Sequence, residues 1–230
     1  MCGRFTLTSP AQIIAEMFGV EPPEGLVARY NVCPGQAVGV VRARDGERRT
    51  FGLLRWGLVP HWSNEIPRDA SLINARMETV AEKPAFRDAF RSRRCLVPAD
   101  SFFEWRTEVG VKQPYLIRRR DQKPFAIAGV WESWRRGDSP RLESCALVTT
   151  EPNELVRPIH DRMPALLPSD AWDLWLDPSV GDPVRLLPLL RPTPASEMEL
   201  FPVSPRVNSP ANDDPTLLAR EPPRTLFDLG

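Results

Sequence analysis

FAIAGVWESW, residues 125–134, is the stretch whose reading decides the fold class. From Phe125 to Val130 no side chain is polar, and the downstream run CALVTT, residues 145–150, is nearly as apolar. Short runs of this composition are expected as central strands, buried on both faces. Working outward, CLVPADSFFEWR (95–106), QPYLIRR (113–119), AVGVVRA (37–43), RRTFGLLRWGLVP (48–60) and CGRFTL (2–7) also have strand composition, with DGE (45–47) as a turn. FPVSPRV (201–207) reads as a last strand, and EPPEGLVARYNVCPGQ (21–36) as a proline-broken loop. Helical patterns are short. SPAQIIAEMFG (9–19) has Ser9 as N-cap, Pro10 at the first position and Gly19 as its stop. KPAFRDAFRSR (83–93) is a second helix, SDAWDLWLD (169–177) a third capped by Ser169, and DPVRLLPLLRP (182–192) a fourth interrupted by Pro188.

No repeat and no linker divides the chain, so one α+β domain is expected over residues 2–207. Its core is a curved, mostly antiparallel sheet flanked by short helices. From Asn208 to Gly230 the chain is polar and proline-rich and reads as a loose tail.

Composition excludes several classes. Of 230 residues 42% are hydrophobic and 26% charged, which suits a globular protein. Thirty basic residues balance thirty acidic ones, so no overall basic field draws the chain to nucleic acid and any anion site is a local patch. Only Lys83, Lys112 and Lys123 are lysines; the excess of arginine fits a GC-rich genome or, at a few positions, bidentate phosphate recognition. Cys2, Cys33, Cys95 and Cys145 are scattered, and with only His61 and His160 beside them no metal site or cofactor is expected. No apolar leader or membrane-length run is visible, so the expected compartment is the cytoplasm, with reduced thiols and no membrane partner.

Four places put reactive groups where strand patterning imposes order. Cys2, freed of Met1, carries an α-amine with a pKa of roughly 8 beside a thiol. Such a residue attacks an aldehyde to give an imine, and the thiol then closes a five-membered thiazolidine. The bland alternative is a small inert buried residue. In INARME, Asn74, Arg76 and Glu78 share one face of an extended chain, and Ile73, Ala75 and Met77 the other. Asn74 and Arg76 are placed to hold a nucleophile and a phosphate together, or form an ordinary solvated face with Arg76 paired to Glu78. Glu104, flanked by Phe102, Phe103 and Trp105, is either a carboxyl of raised pKa suited to acid–base work or a rim carboxylate paired with Arg106. His160, in the locally basic VRPIHDRMP, is either a proton shuttle or structural. His61 has no comparable surroundings.

In this order, MCGRF, RYNVCPG, RWGLVPHW, INARMET, CLVPADSFFEW and IHDRMP resemble the SRAP (SOS response-associated peptidase) family of abasic-site-processing proteins, from Cys2 to about Asn208. The resemblance implies a single α+β domain with a barrel-like sheet that senses abasic sites in single-stranded DNA during the damage response and captures them covalently. It implies that Cys2 forms the thiazolidine, Asn74 orients the N-terminal residue, Glu104 gives and accepts protons at the Schiff base, and His160 assists sugar ring opening. It further implies phosphate contacts from Arg76, Arg4 and Arg162, and a stacking surface at Trp62. Single-stranded DNA bearing abasic sites is the implied partner, with replication-fork proteins as further partners and association with the nucleoid during action. An AP-lyase side activity through the Schiff base is expected too. Cys33 departs from the small apolar residue expected at its position. A competing reading is a cysteine (auto)peptidase, with Cys2 as nucleophile, His160 as base and Glu104 or Asn74 as orienter. A third is a non-catalytic reader of modified or single-stranded DNA.

Overall fold

A computed structural model describes residues 2–43, 48–67, 71–108 and 111–222, apart from the side chains of Glu108 and Val111. Strand β9 (Phe125–Trp134) pairs antiparallel with β10 (Leu142–Thr150) through six positions, Trp134 opposite Leu142 and Gly129 opposite Leu147. Every residue from Phe125 to Val130 and from Ser144 to Thr150 is buried, as the apolar runs require. From this pair the hydrogen bonding runs through β4 (Thr50–Trp56), β3 (Ala37–Arg42) and β6 (Arg94–Ala99) and returns to β9. The ring is closed and has five members. Strand directions cannot alternate all the way round an odd ring, so one neighbouring pair has to be parallel. That pair is β4 with β10, Arg55 opposite Ser144 and Trp56 opposite Cys145. The other four pairs are antiparallel.

Beyond Trp56 the chain leaves β10 through Gly57, whose φ of 126° suits glycine and whose N–H donates to the Cys145 carbonyl. It returns to the same edge of β10 as β5 (Asn74–Arg76), parallel again and facing Leu147–Thr149. Two short strands, β11 (Met163–Pro164) and β12 (Leu166–Leu167), extend this sheet against β10 and β9. A second, wholly antiparallel sheet runs in the order β13 (Met198–Pro202), β8 (Val111–Arg119), β7 (Ser101–Glu108), β1 (Phe5–Leu7), β2 (Arg29–Val32).

Side-chain alternation divides the interior. Ala126, Ala128, Val130, Ala146 and Val148 pack with α1 (Ala11–Phe18), α2 (Arg87–Ser92), α3 (Trp172–Leu176) and α4 (Pro183–Leu186). Phe125, Ile127, Cys145 and Leu147 point the other way, into a core shared with Cys2, Phe5, Phe102 and Ile117 of the second sheet. Both faces are therefore covered.

Four expectations change. Ser9 does not cap α1: its hydroxyl and N–H, with the Thr8 N–H, donate to Asp100, and the helix starts after Pro10 without a side-chain cap. Gly19 ends α1 in the left-handed region as read. Ser169 is likewise no cap but the first residue of a 3-10 turn leading into α3, and past α4 the chain tightens into a second such turn around Pro188. The supposed strand 201–207 ends at Pro202, because Pro205 opens a 3-10 turn. Arg29–Val32, read as loop, is the edge strand β2. Its outward N–H groups at Tyr30 and Asn31 are taken by the Asp213 carboxylate, which removes the cost of a bare edge. The DGE turn lies outside the described residues.

The segment after Asn208, read as a loose tail, is held as far as residue 222. Buried Asn31 donates from Nδ2 to the carbonyls of Val207, Ser209 and Asn212 at 3.2, 3.1 and 2.8 Å, and its Oδ1 accepts from Arg4 at 2.8 Å. Leu217 is fully buried with Phe103, Leu116 and Phe201. Polar composition concealed this because the anchors are carbonyl oxygens, which any residue supplies. Asn31→Ala leaves those carbonyls unpaired and is expected to cost about 2–4 kcal/mol, read as a lower urea midpoint at unchanged slope.

Candidate active site

Four segments meet at Cys2. The residue precedes β1 and is fully buried. Its carbonyl accepts a 2.8 Å hydrogen bond from Nδ2 of Asn74, the first residue of β5. β5 is itself fixed where the Ile73 carbonyl accepts from the Leu147 N–H and from Trp56 Nε1. Asn74 Oδ1 is buried with no hydrogen-bond partner, an open acceptor beside Cys2. Arg76 ends β5 exposed, on Asn74's side, with Ala75 buried between them. Burial pushes the Cys2 thiol well above its ordinary value, and the Glu104 charge adds to that.

Glu104 lies in β7, and strand alternation turns it to the same side as Phe102, into the core that holds Cys2. Phe103 and Trp105 face the opposite core. At 1% exposure Glu104 is no rim carboxylate. Burial pushes its carboxyl up to about 8, so it holds its proton at neutral pH. Oε1 is buried without a hydrogen-bond partner, and Oε2 lies 3.9 Å from His160 Nε2.

His160 rides on a turn that Asn153 starts: Asn153 Oδ1 accepts from the Val156 N–H, and the His160 N–H donates to the Val156 carbonyl. Its Nδ1 lies 3.0 Å from the backbone N–H of Arg162 and 3.0 Å from Asp161 Oδ1. Nδ1 also lies 3.2 Å from the Arg162 carbonyl, so it faces two acceptors and one donor; a proton on Nδ1 of the neutral ring leaves Nε2, toward Glu104, open to accept one. Burial holds the His160 pKa below its ordinary value, favouring that neutral ring.

Cys2, Asn74, Glu104 and His160 thus come together, with Arg76 beside them. Three other sequence-derived residues sit differently. Arg162 lies next to the cluster, but both its Nη atoms bind the Glu78 carboxylate, at 2.7 and 3.0 Å, and Nη2 also donates to the Thr149 carbonyl at 2.6 Å. Glu78 pairs with Arg162 rather than forming the expected pair with Arg76. Arg4 donates to Asn31 and to the carbonyls of Val207 and Asn208, so its guanidinium ties the C-terminal segment to the strand behind Cys2. Trp62 is 57% exposed on a turn anchored near Ser144, roughly 16 Å along β10 from Thr149. Cys33 is buried and, like the other three cysteines, not in a disulfide. Sequence reasoning missed Asn153 as the residue that positions His160; the signal was there in PNELV, an Asn opening a turn. Among the described residues no cluster of His, Cys, Asp and Glu could hold a metal ion, and no helix is long and apolar enough to cross a membrane.

A family model described as SOS response associated peptidase (SRAP) matches residues 1–210. Abasic site processing protein YoqW of Bacillus subtilis is 43% identical over 222 residues, 95% of this chain and 99% of that one. Abasic site processing protein YedK of Escherichia coli is 31% identical over 226 residues, 95% of this chain and 99% of its own length. A crystal structure of a Bacteroides thetaiotaomicron protein superposes with a TM-score of 0.85 at 28% identity, covering 96% of this chain and all of that one.

Proposed function

This chain belongs to the SOS response associated peptidase (SRAP) family, and from that premise we propose that it processes abasic sites in single-stranded DNA by covalent capture on Cys2. The observation that carries the proposal is the Asn74 Nδ2 bond to the Cys2 carbonyl at 2.8 Å, made beside a buried Glu104 that keeps its proton at neutral pH. An amine–aldehyde condensation needs those parts: a fixed amine, a proton donor for the departing hydroxyl, and a proton acceptor afterwards.

Removal of Met1 exposes the Cys2 amine. Asn74 holds that residue through its carbonyl, and the open Oδ1 accepts an amine N–H. His160 takes the proton of the anomeric hydroxyl and passes it to the ring oxygen as that C–O bond breaks and the sugar opens to its aldehyde. The amine nitrogen adds to the aldehyde carbon, giving a carbinolamine. Glu104 protonates the hydroxyl, which leaves as water, and a Schiff base remains. The thiol, kept protonated by burial, then adds its sulfur to the imine carbon while its proton returns to Glu104. One aldehyde, one amine and one thiol become a thiazolidine and one water, and Glu104 ends as it began. Arg76, exposed beside Asn74, and Arg162, next to the cluster, contact a backbone phosphate near the lesion, and Trp62 stacks a base farther along the strand. A slow lyase side reaction proceeds from the Schiff base.

The peptidase reading has less support. A cysteine nucleophile needs its thiolate, and burial drives the Cys2 thiol the other way. The two readings separate on the α-amine. Reductive methylation of the processed protein is expected to abolish an SDS-resistant adduct with a single-stranded oligonucleotide bearing an abasic site. An adduct that survives complete methylation rules the capture mechanism out.

A further inference from the structure

Within the proposed reading that Arg76 and Arg162 meet a DNA phosphate, we infer that Glu78 is a built-in competitor for that phosphate, a carboxylate that occupies the Arg162 fork until DNA displaces it. Glu78 follows Asn74 and Arg76 in the same short segment, and both its oxygens are held by the two Nη atoms of Arg162, at 2.7 and 3.0 Å. A phosphate engages a guanidinium through the same pair of parallel bonds. The exposures give the order of the layers: the Arg162 side chain is 12% exposed and that of Glu78 is 50%. A ligand arriving from solvent therefore meets Glu78 first, with Arg162 beneath it. Arg162 is otherwise ready. Its Nη2 is anchored on the Thr149 carbonyl at 2.6 Å, and its Nε is buried without a hydrogen-bond partner. Arg76 flanks the same carboxylate and, with Arg162, holds its pKa low, so Glu78 is bracketed by two cations where an anion is most stable.

Competition of this kind sets a threshold. A passing undamaged strand gains little from exchanging one anion for another on Arg162, whereas a captured lesion holds the strand in place while the exchange occurs. Glu78 thus tunes how strongly the protein holds DNA that carries no lesion.

The test is a double-mutant cycle on affinity for an undamaged single-stranded oligonucleotide, read at one fixed salt concentration. Glu78→Gln keeps the size and a hydrogen-bonding group but not the charge, and is expected to tighten binding about fivefold, the order of one partly exposed ion pair. In an Arg162→Ala background the same change is expected to do little, since no fork remains to be freed. Glu78→Asp, too short for the bidentate pair, is expected to fall between. Weaker binding by Glu78→Gln overturns the inference and makes Glu78 a strut for Arg162. An equal gain with and without Arg162 also overturns it, as a general charge effect. Should no variant bind undamaged DNA while the abasic-site adduct still forms, the competition is overturned and the capture mechanism stands. Should the adduct fail as well, the functional reading itself is lost.

Discussion

Cys2→Ala is expected to form no SDS-resistant adduct with an abasic single strand, a loss of at least about 10³ in capture rate, while its affinity for undamaged single strand stays within about twofold. The substitution leaves an α-amine after Met1 is removed, so a Schiff base can still form, but that imine hydrolyses and does not survive denaturation without a reducing agent. Borohydride is accordingly expected to trap the variant, weakly, where it adds little to the wild type. The pair of results assigns separate roles to the two nucleophiles: nitrogen makes the first bond and sulfur makes it last. Binding holds because the phosphate contacts lie on Arg76 and its neighbours. A variant that crosslinks at the wild-type level without borohydride contradicts the thiazolidine.

Glu104→Gln is expected to slow capture by about 10²–10³ and to stabilise the fold, two effects of opposite benefit from one change. The rate falls because an amide cannot protonate the departing hydroxyl. The stability gain follows from linkage. Below the ordinary carboxyl value Glu104 is protonated in both states and its ionisation adds nothing. As pH rises past that value the unfolded chain ionises first, while the folded carboxyl keeps its proton until about 8, so stability falls across that window. At pH 7 the replacement is expected to recover about 1–3 kcal/mol, seen as a higher urea midpoint whose advantage shrinks toward pH 4. The alkaline fall in the wild-type rate near pH 8 should vanish in the variant. A variant less stable than wild type at pH 7 means that Glu104 is not a strained acid, and its catalytic role loses its physical basis.

What could be read in the sequence depended on whether the deciding partner was close along the chain. The runs at Phe125–Val130 and Ser144–Thr150 announced themselves because both faces are buried, and alternation in INARME set Asn74 and Arg76 on one side of Ala75 without further help. The strand β2 could not be read, because what satisfies its edge is Asp213, 183 residues from Tyr30. Ring closure with one parallel pair was also out of reach, since it depends on which strand β10 meets after the chain has passed through four others. The site was legible as chemistry but not as geometry. The aromatic neighbours of Glu104 pointed correctly to a raised pKa, yet Phe103 and Trp105 lie on the far face. The surroundings that raise it come from Phe102 and from other strands. Arg4 and Arg162 looked alike in sequence as phosphate contacts. They differ in the fold because one meets backbone carbonyls of the C-terminal segment and the other a carboxylate.

The central claim is that Cys2, as the processed N-terminal residue, gives both its amine and its thiol to one aldehyde carbon. The intact mass of the adduct, taken after treatment with a thiol-alkylating reagent under denaturing conditions, tests it most directly. Cys33, Cys95 and Cys145 should alkylate and Cys2 should not. The expected mass is that of the chain without Met1, plus the oligonucleotide, less one water, plus three alkyl groups. An adduct that retains Met1, or one that takes up a fourth alkyl group, contradicts it.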